Sequence, residues 1–204
     1  QRSLVGSEMC IRDRLGKVNP SGKLNVSFPR STGNTPCFYN HFVTDREEPF
    51  DQPGTPEEPK GHYIFDKPEP LWNFGHGKSY TTFDYVDCAL SDTLLAASDT
   101  LKVSVMIKNT GRCDGKEVVQ LYVRDKVSTV ATPIQQLKAF QKVLVKSGES
   151  QCVELSLPIA ELALYNAKME EVVEPGDFEI QIGAASDDIR SVSYTHLRAH
   201  ETTL

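Results

Sequence analysis

Apolar residues alternate with polar ones, one for one, through most of the second half of the chain. A period of two places the apolar side chains of a β-strand on one face. Turn-forming residues such as Asn109-Thr110-Gly111 and Glu174-Pro175-Gly176 separate the alternating segments. Roughly six or seven short strands with such punctuation predict a mainly β chain that forms an antiparallel β-sandwich. The alternating segments are Phe83 to Tyr85, Leu101 to Ile107, Val119 to Val123, Val143 to Val145, Val153 to Leu157 and Phe178 to Ile182.

Three details of the sandwich follow from the same pattern. Leu137 and Phe140 are out of phase with Val143, which predicts a β-bulge. Cys88 and Cys152 fall within predicted strands, where we expect buried or half-buried free thiols. The acidic residues of the strands are expected on the polar faces, in water and with ordinary pKa values.

The cysteines do not predict a crosslink or a metal site. The chain contains Cys10, Cys37, Cys88, Cys113 and Cys152, with no C-x-x-C pair among them. We therefore predict neither a disulfide framework nor a zinc site.

Before the sandwich lies a proline-rich linker. Six of the 12 prolines fall between residues 45 and 70, with acidic residues between them. Proline removes backbone donors, so this segment is expected to lie over a surface and not to form a core. Upstream of it, Leu24, Val26 and Phe28 alternate as in one short strand. We expect that strand to lack a partner in this chain and residues 15–42 to be unstable as a result.

Charge and hydropathy exclude two classes of partner. The formal net charge of -6 argues against nucleic acid, whose phosphates attract clustered Lys and Arg. The sequence contains no apolar run long enough to predict a membrane span.

Several motifs, in order along the chain, resemble glycoside hydrolase family 3, the β-glucosidase family. Residues 19–24 and 28–31 are similar to the last strand of that family's second, α/β domain, and Tyr39-Asn40-His41 to the loop that follows. The strongest match is the segment Leu71-Trp72-Asn73-Phe74-Gly75-His76-Gly77-Lys78-Ser79-Tyr80, which leads into the family's C-terminal fibronectin type III-like domain. Residues 118–123, 137–140, 174–180 and 182–184 resemble that domain itself.

The resemblance implies a parent enzyme whose reactive groups lie elsewhere. Family 3 enzymes are retaining hydrolases: an Asp on an N-terminal barrel attacks, and a Glu, typically from the second domain, protonates the leaving oxygen. Neither motif occurs in residues 15–191. We therefore predict no catalytic, cofactor-binding or metal-binding residue in the chain. A β-linked glycoside, a glucoside or a xyloside, would be bound by domains that precede it, in a periplasmic or secreted protein by analogy.

Both ends of the chain look foreign to this pattern. Residues 3–14 and 192–202 show no helical or strand period, and both are similar to peptides translated from sequencing-adapter DNA. We predict non-native ends at 1–14 and 191–204, a tail of the α/β domain at 15–44, a linker at 45–78 and the fibronectin III-like sandwich at 79–190.

Some residue patterns imitate known sites. The acidic pairs Glu47-Glu48 and Glu57-Glu58 are interpreted as solvated linker charge. Gly75-His76-Gly77-Lys78-Ser79 lacks the first glycine of a phosphate-binding loop, where Trp72 stands, and is interpreted as a sharp turn. His196 and His200 are four residues apart but lack the H-E-x-x-H order of a zinc site.

The residues around the linker leave an alternative open. Trp72 and Phe74 are expected to fix the linker against the sandwich or the preceding domains, and a sugar contact by Tyr39, Tyr63, Trp72 or Phe74 is the other interpretation. His41 and His62 are interpreted as loop histidines. For function, the leading hypothesis is a structural module that braces the catalytic domains. The alternatives are a carbohydrate- or surface-binding module and a dimerisation module.

Overall fold

The computed structural model describes residues 11–42 and 69–198. Its strands are β1 Phe83–Leu90, β2 Leu94–Leu95, β3 Thr100–Asn109, β4 Gly115–Asp125, β5 Gln136–Val145, β6 Ser150–Pro158, β7 Leu164–Tyr165, β8 Glu171–Val172, β9 Gly176–Ala185 and β10 Asp188–Leu197. Short 3-10 turns cover Thr32–Asn34 and Ile159–Leu162. No helix in the described ranges is long and apolar enough to cross a bilayer.

Two sheets face each other and form the predicted sandwich. One sheet has the order β1-β3-β6 and the other β2-β10-β9-β4-β5. The pairs within both sheets are antiparallel, except that β2 runs parallel to β10. A separate hairpin joins β7 to β8. The fold class predicted from the alternation is confirmed.

The core lies between the inner faces of the two sheets. Alternate residues of β3 and β6, such as Leu101, Ile107 and Leu157, are fully buried. They pack against alternate residues of β4 and β9, such as Leu121 and Ile180. Burial of apolar surface at about 25 cal/mol per Å² is the main stabilising term of such a domain.

Strand β5 contains the predicted bulge. Leu121 pairs with Ala139, but the next residue, Tyr122, pairs with Leu137. Lys138 is therefore the extra residue, and it shifts the alternation between Leu137 and Val143 as expected.

The two strand cysteines differ in exposure. Cys88 is half-buried, as predicted, whereas Cys152 is exposed, so the prediction was wrong for Cys152. Successive side chains of a strand point to opposite faces, and Val153 and Leu155 point into the core. The side chain of Cys152, next to Val153, therefore points outward.

The strand predicted around Leu24 does not form, but residues 24–28 have backbone partners in the chain, contrary to expectation. The Leu24 N–H donates to the His76 carbonyl at 2.8 Å, and the Gly75 N–H donates to the Leu24 carbonyl at 2.8 Å. Phe28 forms an antiparallel bridge with Trp72. The end of the linker, which was expected to lie over a surface, supplies these backbone partners.

Strand β10 corrects a second expectation, that no element follows residue 191. The strand continues to Leu197 and pairs with β9 along its length. Its side-chain pattern is unusual, because Ser193 lies opposite Ile180 and Thr195 opposite Phe178, both of which are core residues. Polar side chains thus face the core while Tyr194 is 56% exposed. This inverted pattern explains why alternation did not predict the strand.

Replacing Thr195 with valine is expected to stabilise the protein. Thr195 is 2% exposed, and its hydroxyl has no hydrogen-bond partner. An unsatisfied buried hydroxyl costs about 1–3 kcal/mol, which the isosteric Thr195→Val removes. Urea unfolding should show a higher free energy for this variant, with Thr195→Ser as the control that keeps the hydroxyl. A valine variant no more stable than the original would mean that the hydroxyl has a partner.

Candidate functional site

Residues 19–28, which we call the strap, lie against one end of the sandwich. At its start, the Asn19 side chain forms several hydrogen bonds to the sandwich. Its amide nitrogen donates to the Asp114 carbonyl at 3.0 Å. Its amide oxygen accepts from the Ser79 hydroxyl at 3.0 Å and from the Tyr80 N–H at 2.9 Å. One side chain therefore joins the strap to the entry of the sandwich and to the loop before β4.

A buried ion pair lies further along the strap. The Lys23 ammonium is 3.2 Å from Glu117 Oε1, and the Tyr85 hydroxyl donates to the same oxygen at 3.1 Å. Glu117 is 5% exposed. Burial, followed by the Glu117 charge, raises the pKa of Tyr85 well above its ordinary value, so the phenol stays a donor. The strap, β1 and β4 meet at this carboxylate.

Glu117 corrects the expectation that the strand acids lie in water. It occupies the inward face of β4, two residues before Val119 and in phase with Leu121. That phase was visible in the sequence and is the signal that could have identified Glu117. The missing information was the cation, which lies 94 residues away at Lys23.

Glu174 and Asp125 have shifted pKa values. The Thr129 hydroxyl and backbone N–H donate hydrogen bonds to Glu174, and these bonds lower the pKa of Glu174. They also attach the loop after β4 to Glu174. Burial raises the pKa of Asp125 at the end of β4. The expectation of unshifted strand acids was therefore wrong for Asp125, because the end of β4 is partly buried, whereas Glu174 lies in the loop before β9.

An aromatic stack covers the outer face of β4. Tyr39 lies nearly parallel to Phe74, with centroids 4.1 Å apart, and meets Tyr122 edge-on at 6.0 Å. The Tyr122 hydroxyl donates to the Gln120 amide oxygen at 2.6 Å, and the Gln120 amide nitrogen donates to the Ala184 carbonyl at 2.6 Å. Phe74 thus fixes the linker end against the sandwich, as expected.

The glycine-rich turn has the structural role predicted for it. Gly75 has a φ of 81°, in the left-handed region, and a Cβ there would overlap the Gln120 side chain. A Cβ at Gly77 would overlap the carbonyl of Gly22 in the strap. Both glycines permit close approach of backbone segments.

Trp72 is placed differently from Phe74. Its ring meets Phe28 of the strap edge-on at 5.8 Å and is 45% exposed. A surface hollow of ≈ 410 Å³ lies beside it, lined by residues that include Leu24, His76 and Lys78. Trp72 therefore packs on the strap, and one part of its indole remains open to solvent.

The other residues considered from the sequence do not come together. His41 accepts the Ile134 N–H through its carbonyl. His196 lies on β10, 2.8 Å from Asp177, and not on a helix. Within residues 11–42 and 69–198, no three His, Cys, Asp or Glu side chains are placed to hold a metal ion. The remaining positions lie outside the described residues: Glu47, Glu48, Glu57, Glu58, His62, Tyr63 and His200.

Comparison with known proteins identifies the sandwich and its surroundings. The model of the fibronectin type III-like domain matches residues 117–186. A beta-xylosidase of Formosa agariphila is 42% identical over 89% of this chain, which corresponds to 24% of that protein. The periplasmic beta-glucosidase of Salmonella typhimurium is 37% identical over 88% of this chain and 23% of its own length.

Solved structures show the same relation in three dimensions. The beta-glucosidase of Listeria innocua in complex with glucose superposes with a TM-score of 0.83 at 36% identity. The match covers 92% of this chain and 26% of that one. This chain thus spans about a quarter of the length of the relatives it matches. It is homologous to the C-terminal quarter of β-glucosidases and β-xylosidases of glycoside hydrolase family 3, and residues 117–186 of its sandwich match the fibronectin type III-like domain.

Proposed function

We propose that the chain is the supporting, C-terminal part of a retaining β-glycosidase that hydrolyses β-linked glucosides or xylosides. The observation that carries this proposal is the similarity of nearly the whole chain to one quarter of such enzymes. Retaining hydrolysis needs two carboxyl groups about 5 Å apart in a pocket. The acids described above instead make structural contacts: Glu117 with Lys23, and Glu174 with Thr129. The chain by itself is proposed to be inactive.

The exposed apolar side chains support a bracing role. Phe28, Phe38, Phe42, Leu71 and Trp72 are 42%, 64%, 54%, 46% and 45% exposed. All five lie on the strap, the loop after it or the end of the linker, before β1 begins. Exposed large apolar side chains that lie together favour a protein contact, and Phe28 and Trp72 are in contact, with ring centroids 5.8 Å apart. In the parent enzyme this region would be covered by the catalytic domains.

The domain boundaries belong to the same proposal. Residues 15–44 would be the tail of the α/β domain, 45–78 the linker and 79–190 the sandwich, with foreign residues at 1–14 and 191–204. The inward-facing Ser193 and Thr195 support a foreign C-terminal end, because a sandwich strand ordinarily directs apolar residues to its core.

A chimera tests this proposal. Residues 15–191 would replace the corresponding quarter of the Listeria innocua beta-glucosidase, and hydrolysis of an aryl β-glucoside would be measured. We expect the chimera to be active, and both the same enzyme without that quarter and the isolated chain to be inactive. Enzymatic hydrolysis by the isolated chain would contradict the proposal. So would full activity of the shortened enzyme.

A carbohydrate-binding role is the second candidate, and the open indole of Trp72 favours it. Sugar rings stack on aromatic faces, and His76 and Lys78 line the same hollow. Calorimetric titration with soluble β-glucans should then give heat with the original chain and none with Trp72→Ala. Tyr165→Ala is the matched control, because Tyr165 is 59% exposed on the β7–β8 hairpin, outside the hollow. Absence of heat with the original chain would exclude this role.

A further inference from the structure

The buried Glu117 carboxylate contacts the strap at one end of the sandwich. The side chains of Lys23 and Glu117 are 17% and 7% exposed, in contrast to 59% for both partners of the surface pair Lys102–Glu154. A carboxylate this buried is costly unless a cation and hydrogen bonds compensate it. Lys23 supplies the cation from the strap, and Tyr85 supplies a hydroxyl from β1.

A nearby alternative cation is already engaged. The hydrogen bond with Asp188 is the main cause of the raised pKa of Arg190 on β10, and the nearby Glu117 charge makes a smaller contribution. The Arg190 guanidinium is bonded to Asp188 at 2.5 and 2.7 Å. Departure of the strap would therefore leave Glu117 without the cation that now contacts it.

Contacts on both sides of Lys23 hold the strap in register. The Lys142 ammonium donates to the Ser21 carbonyl at 3.0 Å from β5. The Phe28 N–H donates to the Trp72 carbonyl at 2.8 Å. Gly22 and Gly77 pass so closely that a Cβ on Gly77 would overlap the strap. The ion pair thus lies in the middle of a segment positioned from both ends.

We propose that Lys23, Glu117 and Tyr85 form a buried latch that makes the strap and the sandwich one rigid body. The strap thereby becomes a second attachment of the sandwich to the preceding catalytic domains, in addition to the linker; this last step rests on the proposed function. It also replaces the expectation that residues 15–42 are unstable in this chain. The strap would thus connect the sandwich to the catalytic domains, and the latch would fix the orientation of the sandwich relative to them.

Amide hydrogen exchange of the full 204-residue chain tests the latch directly. The reporters are the amides of Leu24, Phe28 and Gly75, which join the strap to the linker end. In the original chain we expect them to exchange at least about 100-fold more slowly than in an unfolded chain. Lys23→Met should accelerate all three at least about tenfold, while amides of β3 such as Val103, which exchange through global unfolding, should remain better protected than the reporters.

Two further variants make the result decisive. Lys102→Met breaks an exposed ion pair and should leave the three reporters unchanged. Glu117→Gln keeps the shape but removes the charge, so it should accelerate the reporters as Lys23→Met does. Unprotected reporters in the original chain, or equal protection in Lys23→Met and Lys102→Met, would overturn the latch. These outcomes concern the chain alone, so they differ from a failure of the chimera, which would contradict the proposed function.

Discussion

Replacing Lys23 with methionine is expected to lower the free energy of unfolding by about 3–5 kcal/mol, the usual cost of removing one partner from a buried ion pair. Methionine keeps most of the aliphatic length but leaves Glu117, which is 5% exposed, without its cation. The strap contacts around Lys23 would weaken with it. Urea unfolding followed by tryptophan fluorescence would measure the change, because Trp72 lies against the strap residue Phe28.

Two variants test the cause of that loss. Lys102→Met removes a cation from an exposed pair, for which an effect of about 0–1 kcal/mol is usual. The double variant Lys23→Met/Glu117→Leu removes both charges, and apolar replacement of a whole buried pair is often neutral. We therefore expect the double variant to recover much of the stability lost in Lys23→Met. Equal losses in Lys23→Met and Lys102→Met would show that the Glu117 site tolerates an unpaired charge.

Replacing Leu121 with alanine is expected to cost about 2–5 kcal/mol, because it opens a cavity between the two sheets. Leu121 is fully buried on the inner face of β4. Its loss is not compensated by collapse of neighbours in a closely packed core. Thermal or urea unfolding monitored by circular dichroism would give the difference.

The matched control is a leucine on the next strand. Leu144 of β5 is 54% exposed, and Leu144→Ala should change the free energy of unfolding by no more than about 0.5 kcal/mol. The two substitutions are chemically identical, so their difference measures burial alone. Similar losses would mean that the inner and outer faces of this sheet are wrongly assigned.

The strands that alternation predicted are those whose inward residues are apolar. Strands β1, β3, β6 and β9 each show that pattern, β4 shows it from Val119 onward, and β5 shows it once Lys138 is recognised as a bulge. Strands β2, β7 and β8 are two residues long, and two residues carry no period. Strand β10 was missed because Ser193 and Thr195 occupy its core-facing positions. Backbone pairing with β9 suffices to form it.

At the site, some residue roles were predicted from the sequence and others were not. The roles of Phe74 and the two glycines of the turn followed from residue type, because an apolar ring and a residue without a Cβ have few alternatives there. The roles of Asn19, Lys23 and Glu117 did not. Asn and Lys are ordinarily exposed, and nothing local indicates that either is placed beside a strand more than 90 residues away.

Sequence by itself determined that this chain builds a β-sandwich, since side-chain direction in a strand alternates with every residue and is set locally. Its motifs also determined the family. Only the tertiary structure decided which acid is buried, which cation compensates it and that residues 19–28 lie on the sandwich. Those facts depend on contacts between distant segments, whose free energy exists only once the two sheets have closed and excluded water from Glu117.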